Sequence, residues 1–271
     1  MRPAASSVRT KEKRSEVNRS LKQAYKTITG KVRRHNEDAA GIFKNQSGEY
    51  LAVVCDGMGG HQAGDTASAA ALEIFKKEWE HEPFPLLPEE ARAWLINRIE
   101  KVNAAIFELS RQDVYLQGMG TTAVAAVCTP GFIAIAHVGD SRAYVFDEQG
   151  VYQKTQDHSL VNELRLRGEL TQEEAESHPR KNVLTRALGT DKTVKCDASV
   201  MEWDKGEGVF LCSDGLSNKV TSLEIADLLQ SRSSVEEAVE RIVHKANDRG
   251  GEDNITIAAV INSFSMERRM Q

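Results

Sequence analysis

The sequence predicts an α+β domain built from antiparallel sheets and helices, and two observations lead to this prediction. Apolar runs of strand length stand in neighbouring groups separated by short turn segments. The helical patterns come in pairs, and no linker or internal repeat divides the 271 residues. Grouped strands and paired helices are typical of layered α+β folds, whereas a doubly wound parallel sheet would alternate strands with helices.

The first half of the chain contains three predicted strands, two helices and an apolar segment. The strands cover residues 24–28, 39–43 and 50–55, and the helices cover residues 64–79 and 91–110. The second helix is amphipathic, because its apolar residues recur every three or four positions. The apolar segment, residues 122–138, is divided by Pro130-Gly131 into TAVAAVC and FIAIAHV. Each piece is shorter than the roughly 20 residues of a membrane helix, so we expect two strands and a turn.

The second half contains further predicted elements in the same grouped order. A charge-rich helical segment covers residues 159–178, strands cover 200–203 and 208–212, helices cover 222–230 and 234–247, and a last strand covers 255–261. Residues 1–23 are basic and Ser-rich, and we expect a disordered tail there. A docking arm or short helix is the alternative, because Val17, Leu21 and Tyr25 would share one helix face. Residues 24–264 would form the folded domain, followed by a tail over residues 265–271.

Composition narrows the class of protein. The formal net charge of −5 is too mild to indicate nucleic acid or an anionic membrane as partner. The basic N-terminal segment lacks the apolar stretch of a secretory signal. The four cysteines form no CxxC pair, so neither a zinc site nor a disulfide framework is indicated, and a reducing cytoplasm is expected; they are Cys55, Cys128, Cys196 and Cys212.

Acidic residues stand at five places where a predicted strand begins or ends. The places are Asn36-Glu37-Asp38 and Glu252-Asp253-Asn254 before strands, and Asp56-Gly57, Gly139-Asp140 and Asp214-Gly215 after strands. A single Asp before Gly usually forms a turn or caps a helix. Five such sites point instead to a convergent cluster, because buried strands hold their ends rigidly at a sheet edge.

Several carboxylates at one edge would repel one another unless a cation lay among them. Because the ligands on offer are all oxygens, they favour Mg²⁺ or Mn²⁺ over zinc. Two such ions bridged by one Asp can clamp a phosphate and activate a water. Glycines after Asp56 would let the backbone approach the metals and let Gly57 offer its carbonyl.

Eight motifs, taken together and in order, carry a family resemblance. They are VRRHNEDA, VVCDGMGGHQAGDTAS, GMGTTA, VGDSRAY, DHSLVNEL, RKNVLTRALG, LCSDGLSN and GGEDNITI. With them the sequence resembles the bacterial metal-dependent serine/threonine phosphatases of the protein phosphatase 2C (PPM) family. It is similar in particular to the stand-alone phosphatases of Gram-positive bacteria that oppose membrane Ser/Thr kinases. The resemblance runs from about residue 24 to residue 261.

The resemblance implies a four-layer α-β-β-α sandwich, in which two antiparallel β-sheets are flanked by helices, with a metal cluster at one edge. It implies two Mn²⁺ or Mg²⁺ ions and a third, weakly bound one. The implied ligands of the two main ions are Asp56 as the bridge, Gly57 through its carbonyl, and Asp214 and Asp253 from the other side. Asp38 and Glu37 would contact a metal or its bound waters, with Asn254 beside them. Asp140 and Asp214 would hold the third ion.

Two further roles follow from the matched motifs. Arg33 matches the arginine that grips the substrate phosphate, a role that suits a bidentate guanidinium. Animal members place a proposed general-acid histidine directly after the Asp-Gly pair, where this chain has Met58. The nearest histidine, His61, takes that role in our assignment, and a structural His61 or a metal-bound water as the acid are the alternatives.

Residues 157–189 correspond to the mobile flap of bacterial members. The flap is expected to shape access of a protein substrate through His158, Arg165, Arg167 and Arg180, although a solvated charged helix pair is an equal alternative.

The implied activity is hydrolysis of phosphoserine and phosphothreonine by direct attack of a metal-bridging water. The expected partners are phosphorylated proteins, among them a Ser/Thr kinase and its substrates, with neither nucleic acid nor membrane insertion involved. A cytoplasmic monomer is expected. The rivals are an inactive binding protein on the same fold, which loss of Asp56, Asp214 or Asp253 would mark, and another two-metal hydrolase such as a nuclease, which a basic track would mark.

Overall fold

A computed structural model describes residues 19–60, 63–83, 85–231 and 233–264 of the chain. The strands are β1 (Arg19–Ile28), β2 (Asp38–Lys44), β3 (Tyr50–Met58), β4 (Gly120–Thr121), β5 (Ala123–Cys128), β6 (Phe132–Val138), β7 (Arg142–Phe146), β8 (Val151–Gln153), β9 (Asp197–Glu202), β10 (Gly208–Cys212) and β11 (Ile255–Phe264). The helices are α1 (Ala63–Glu80), α2 (Pro88–Gln112), α3 (Leu160–Leu166), α4 (Gln172–Ser177), α5 (Asp214–Ser217), α6 (Ser222–Leu229) and α7 (Val235–Asp248), with a 3-10 turn at Val114–Leu116.

The strands form two antiparallel sheets that pack face to face, with helices on both outer faces. The first sheet has the order β1-β11-β10-β7-β8, and the second has the order β2-β3-β5-β6-β9, with β4 paired to the end of β3. One apolar core lies between the two sheets, a second lies under α1 and α2, and a third lies under α6 and α7. The predicted four-layer α-β-β-α sandwich is confirmed.

The apolar run of β3 lies between two of these cores. Val53 and Cys55 face the helices α1 and α2, whereas Ala52 and Val54 face the opposite sheet. Successive side chains of a strand point to opposite faces of its sheet, so a strand in a middle layer must be apolar at every position. This requirement explains why LAVVC lacks the alternation of a half-exposed strand.

The apolar segment at residues 122–138 forms β5 and β6, as predicted. The two strands pair with each other from Ala123 opposite Val138 to Cys128 opposite Ile133. Within the described residues, no helix is long and apolar enough to cross a membrane.

The first strand begins at Arg19, five residues before the predicted domain start at residue 24. It pairs with β11 along its whole length, from Arg19 opposite Phe264 to Ile28 opposite Ile255. Leu21 and Tyr25 therefore lie on a strand, which overturns the short-helix alternative there; Val17 lies outside the described residues. A strand at a sheet edge is held by backbone hydrogen bonds, so its polar sequence does not reveal it.

Residues 159–178 form two short helices, α3 and α4, where one helical segment was expected. Ser159 caps the start of α3 and Thr171 caps the start of α4 through their side-chain oxygens. Gly168 lies between the helices with φ +75°, a conformation that ends a helix and suits glycine. The predicted strand at 200–203 also begins earlier, at Asp197.

We expect Leu95→Ala to lower the free energy of unfolding by about 2–5 kcal/mol, because deleting a buried side chain leaves a cavity. Leu95 of α2 is fully buried, whereas Leu223 of α6 is 62% exposed. Leu223→Ala is the matched control and should change the free energy of unfolding by less than about 0.5 kcal/mol. Urea unfolding of both variants measures the difference, and equal losses would contradict this account of the core.

Candidate metal centre

Strand register brings the acidic residues to one edge of the sandwich. Asp38 opens β2 and is the register partner of Asp56 on β3. In the other sheet, Cys212 of β10 is opposite both Arg142 of β7 and Ile257 of β11. The residues just beyond these pairs therefore share that edge; they are Asp140, Asp214 and Asp253. The two sheet edges meet where the Ser213 hydroxyl donates to the Asp38 carboxylate (2.8 Å).

Asp38 lies deepest in the cluster, with 7% of its surface exposed. Its Oδ2 atom accepts hydrogen bonds from Ser213 Oγ (2.8 Å) and Thr256 Oγ1 (2.6 Å). Its Oδ1 atom is buried and has no hydrogen-bond partner among the described residues. Burial, together with the charges of Asp214 and Asp253, raises the pKa of Asp38 to about 7.

Asp56 is held by its backbone at the point where β3 reaches the cluster. Its N–H donates to Thr122 Oγ1 (2.9 Å). Its carbonyl oxygen accepts from the Thr122 N–H (2.8 Å) and from Thr121 Oγ1 (2.9 Å). These bonds leave the carboxylate as the free end of the residue. Burial, followed by the charges of Asp38 and the other aspartates, raises the pKa of Asp56 well above its usual value.

Asp140 and Asp214 line the same cleft at the surface, which encloses about 730 Å³. Burial, followed by the charge of Asp214, raises the pKa of Asp140 to about 7. Burial, followed by the charge of Asp253, raises the pKa of Asp214. Asn162 of α3 and Ala175 of α4 line the cleft from the side of the flap. The carboxylates of Asp140 and Asp214 thus face a cleft at the protein surface.

Gly57 has no room for a side chain. A Cβ atom there would overlap the carbonyl oxygen of Gly64 and lie 2.6 Å from that of Glu37. The Gly57 N–H donates to the Glu37 carbonyl (3.0 Å), so the first turn of α1 and Glu37 pack directly on the β3 backbone. Burial, followed by the charges of Asp65 and Asp253, raises the pKa of Glu37 against the opposing effect of Arg33.

Asn254 holds the loop that carries Glu37. Its Oδ1 accepts from the Glu37 N–H (2.8 Å), and its Nδ2 donates to the carbonyls of Thr29 (2.9 Å) and His35 (3.0 Å). The Asn254 side chain therefore forms hydrogen bonds with the backbone at both ends of this loop, which contains no helix or strand. Asn254 thereby supports the cluster by positioning its neighbours.

Arg33 lies at the rim of the cluster with half of its side chain exposed. Its Nη2 donates to Asp253 Oδ2 (2.8 Å). This hydrogen bond is the main reason that the pKa of Arg33 is raised. His35, two residues on, is exposed as a solvated loop residue would be. His61, the expected general acid, lies outside the described residues.

His158 does not face a substrate, which overturns its expected role in access. It is 5% exposed, its Nδ1 accepts from the Gly139 N–H (3.1 Å), and its Nε2 lies 3.1 Å from Asp197 Oδ2. His137 stacks on its ring at 4.6 Å. His137, His158 and Asp197 are all of types that can bind a metal ion. Both nitrogens of His158 are engaged, however, so it has no lone pair to offer a cation. The other three flap residues named from the sequence are exposed; they are Arg165, Arg167 and Arg180.

The donor set fits divalent cations that prefer oxygen. Carboxylates converge at one edge, a buried Asp38 oxygen has no hydrogen-bond partner within the described ranges, and Gly57 admits the close approach of backbone. Burial, followed by mutual repulsion, raises the pKa values of Asp38, Asp56, Asp140 and Asp214, and a cation among them would favour their charged forms. The side chains that could bind Mn²⁺ or Mg²⁺ are those of Asp38, Asp56, Asp140, Asp214 and Asp253.

Sequence reasoning missed several residues that support the cluster. Ser213 and Thr256 hold Asp38, and Asp65 adds charge beside Glu37. Each stands inside one of the eight motifs. Their contacts join residues far apart in the chain, so spacing does not reveal them.

We expect the metal-free protein to lose stability as the pH rises from about 5 to about 7.5. An unfolded aspartate has a pKa of about 3.9, whereas the pKa values of Asp38 and Asp140 in the fold are about 7. In this window the folded state keeps protons that the unfolded state has released, so rising pH favours unfolding. Mn²⁺ should therefore raise the melting temperature more at the higher pH.

Thermal melting in chelator and in Mn²⁺ at both pH values checks this expectation. Asp140→Asn should flatten the metal-free dependence, and Asp227→Asn, at an exposed position on α6, should leave it unchanged. An equal rise with Mn²⁺ at both pH values would show that the carboxylates are already ionised without metal.

Comparisons with known proteins show the family to which this chain is related. A family model described as protein phosphatase 2C matches residues 31–258. The chain is 42% identical over 245 residues to the serine/threonine phosphatase stp of Listeria welshimeri, covering 90% of this chain and 97% of that protein. These matches confirm the family resemblance read from the motifs.

Solved structures show the same likeness. The serine/threonine phosphatase Stp1 from Staphylococcus aureus superposes with a TM-score of 0.84 at 38% identity, covering 89% of this chain and 95% of that one. The catalytic domain of the phosphatase PstP, in complex with 2 manganese ions, superposes with a TM-score of 0.78 at 31% identity, covering 90% and 99%. The chain therefore belongs to the protein phosphatase 2C family.

Proposed function

We propose that this protein is a metal-dependent protein serine/threonine phosphatase that hydrolyses phosphoserine and phosphothreonine. The observation that carries the proposal is the convergence of five aspartates at one sheet edge with Arg33 at the rim, in a chain of this family. The inactive binding protein would lack ligand carboxylates, and this chain has them all.

The assigned ligands of two Mn²⁺ or Mg²⁺ ions are Asp38, Asp56, Gly57 through its carbonyl, Asp214 and Asp253. Asp140 and Asp214 line one cleft and would hold a third ion. The two manganese ions of the PstP structure support the assignment of two main ions. When bound, such cations neutralise phosphate oxygens and lower the pKa of a coordinated water.

The side chains of this protein orient the substrate and hold the charges. Arg33 would bind the phosphate through the exposed part of its guanidinium, which a fork of donors suits. Asp56, fixed through its backbone by Thr121 and Thr122, would keep its carboxylate between the groups contributed by the two sheets. The departing serine or threonine oxygen needs a proton, and His61 or a water would supply it.

The substrates are proposed to be phosphorylated proteins, including those of a Ser/Thr kinase. The cleft beside Asp140 is open to the surface, and the exposed Arg165, Arg167 and Arg180 stand on the flap segment where a protein surface would approach. Four free cysteines support a reducing cytoplasm. A monomer would suffice, because the ligands all come from one chain.

We expect Asp56→Asn to lower phosphate release from a phosphothreonine peptide by more than about a hundredfold, because the amide cannot bridge two cations. Metal-stripped protein titrated with Mn²⁺ and then Mg²⁺ provides the assay. Asp227→Asn, an exposed aspartate on α6, is the control and should retain full turnover.

Folded Asp56→Asn protein that kept most of its turnover would contradict the bridging assignment. Wild-type protein that released no phosphate with either metal would favour the binding-protein alternative.

We expect Arg33→Ala to raise KM for the phosphopeptide about ten- to a hundredfold, with a smaller fall in kcat, because a charge-assisted hydrogen bond to the phosphate is lost. Arg33→Lys should recover part of the loss, since an ammonium keeps the charge and loses the bidentate geometry. Steady-state kinetics over a range of peptide concentrations separates the two parameters. An unchanged KM in Arg33→Ala would remove this residue from phosphate binding.

A further inference from the structure

We propose that Thr256, Ser213, Thr27 and Asn36 form a positioning network that reserves one oxygen of Asp38, Oδ1, for a cation. The proposal rests on the proposed function, because it concerns the same metal centre. It assigns a role to four polar residues that do not themselves contact a cation in the proposed ligand set.

The Oδ2 atom of Asp38 is occupied by two hydroxyl donors. Ser213 Oγ approaches it at 2.8 Å and Thr256 Oγ1 at 2.6 Å. A carboxylate oxygen accepts about two hydrogen bonds along its lone pairs. Oδ1 is equally buried and has no partner among the described residues. The two oxygens of one carboxylate therefore differ: Oδ2 is saturated, and Oδ1 is available.

The hydroxyl groups form a chain with one direction. Ionised Asp38 can only accept, so Thr256 must donate its hydroxyl proton to Oδ2. Thr27 Oγ1 lies 2.7 Å from Thr256 Oγ1 and must then be the donor of that pair. Thr27 Oγ1 in turn accepts from Asn36 Nδ2 (2.9 Å). Each donor along the chain points toward Asp38.

The chain also closes on itself. Asn36 Oδ1 accepts from the Asp38 N–H (3.3 Å), so Asn36 contacts both the backbone of Asp38 and the far end of the hydroxyl chain. Thr27 of β1 and Thr256 of β11 are register partners in one sheet, whereas Asp38 belongs to β2 of the other. The network therefore links the two sheets at the edge that carries the metal ligands.

Two donors on one oxygen stop the carboxylate from rotating about its Cβ–Cγ bond. Asp38 would then bind a cation through Oδ1 alone, in a fixed direction. Without the Thr256 hydroxyl, Oδ2 would be under-satisfied and the carboxylate would be free to turn. Residues that orient a metal ligand typically change metal affinity by about ten- to a hundredfold when removed.

The test compares Thr256→Val, which removes the hydroxyl at nearly constant volume, with Thr256→Ser, which keeps it. Calorimetric titration of metal-free, full-length protein with Mn²⁺ gives the dissociation constant. We expect Thr256→Val to weaken the tighter binding about tenfold or more, and Thr256→Ser to stay within about twofold of the wild type. Thr27→Val should weaken Mn²⁺ binding less than Thr256→Val does. The double variant, Thr27→Val with Thr256→Val, should bind Mn²⁺ about as weakly as Thr256→Val alone, because the two hydroxyls act in series.

Thr129→Val is the matched control, because Thr129 is also a buried, hydrogen-bonded threonine but lies in the turn between β5 and β6. It should lower the melting temperature of the metal-free protein without changing Mn²⁺ affinity. Circular dichroism establishes that each variant is folded before titration.

The outcomes separate this proposal from the proposed function. If the wild type binds Mn²⁺, Asp38→Asn does not, and Thr256→Val binds as tightly as the wild type, the network is overturned while the metal centre stands. If Thr129→Val weakens Mn²⁺ binding as much as Thr256→Val, the effect is general destabilisation and the network is again overturned. If the wild type itself binds no Mn²⁺ or Mg²⁺, the proposed function fails first.

Discussion

The repulsion among carboxylates at one edge of the sandwich is the constraint on which the rest of the structure depends. Five aspartates meet there, and burial together with their mutual charge raises the pKa values of at least four of them. No hydrophobic contact would draw these groups together. They stay together because rigid strands and short, hydrogen-bonded loops hold them at that edge. A cation bound among them would offset the unfavourable free energy of their repulsion.

Burial of apolar side chains in three cores offsets the unfavourable free energy of gathering these carboxylates. The core between the sheets requires strands that are apolar on both faces, such as β3. Burial on both faces and hydrogen bonds to a strand on each side hold such strands rigidly in place. Their rigidity is transmitted to their last residues, and there the chain changes abruptly from apolar side chains to acids. Support then comes from small hydroxyl and amide groups, which form hydrogen bonds without adding charge, as the Thr122 hydroxyl does by accepting from the Asp56 N–H.

Much of the fold and of the site was predictable from the sequence. Apolar strand runs and helix periodicity led to a layered α+β fold with antiparallel sheets, and the family resemblance of the motifs implied the four-layer sandwich. The acids at strand ends marked the edge at which it would bind metal. The start of β1 was misjudged, because backbone pairing with β11 leaves little trace in side-chain pattern. His158 was expected to shape substrate access because its segment corresponds to the flap of bacterial members, yet it is buried and hydrogen-bonded to Gly139 and Asp197.

The sequence by itself determined which side-chain types stand near the strand ends, since that is local information: acids of the kind that oxygen-preferring cations bind, an arginine, and a glycine beside Asp56. Only the tertiary structure decided how those groups are used. It placed the hydroxyl groups of Ser213 and Thr256 on one oxygen of Asp38, while the other oxygen has no hydrogen-bond partner in the described part of the chain. In the chain, Asp38 lies 175 positions from Ser213 and 218 positions from Thr256. The packing of the two sheets brings these residues together, and no local sequence pattern predicts that contact.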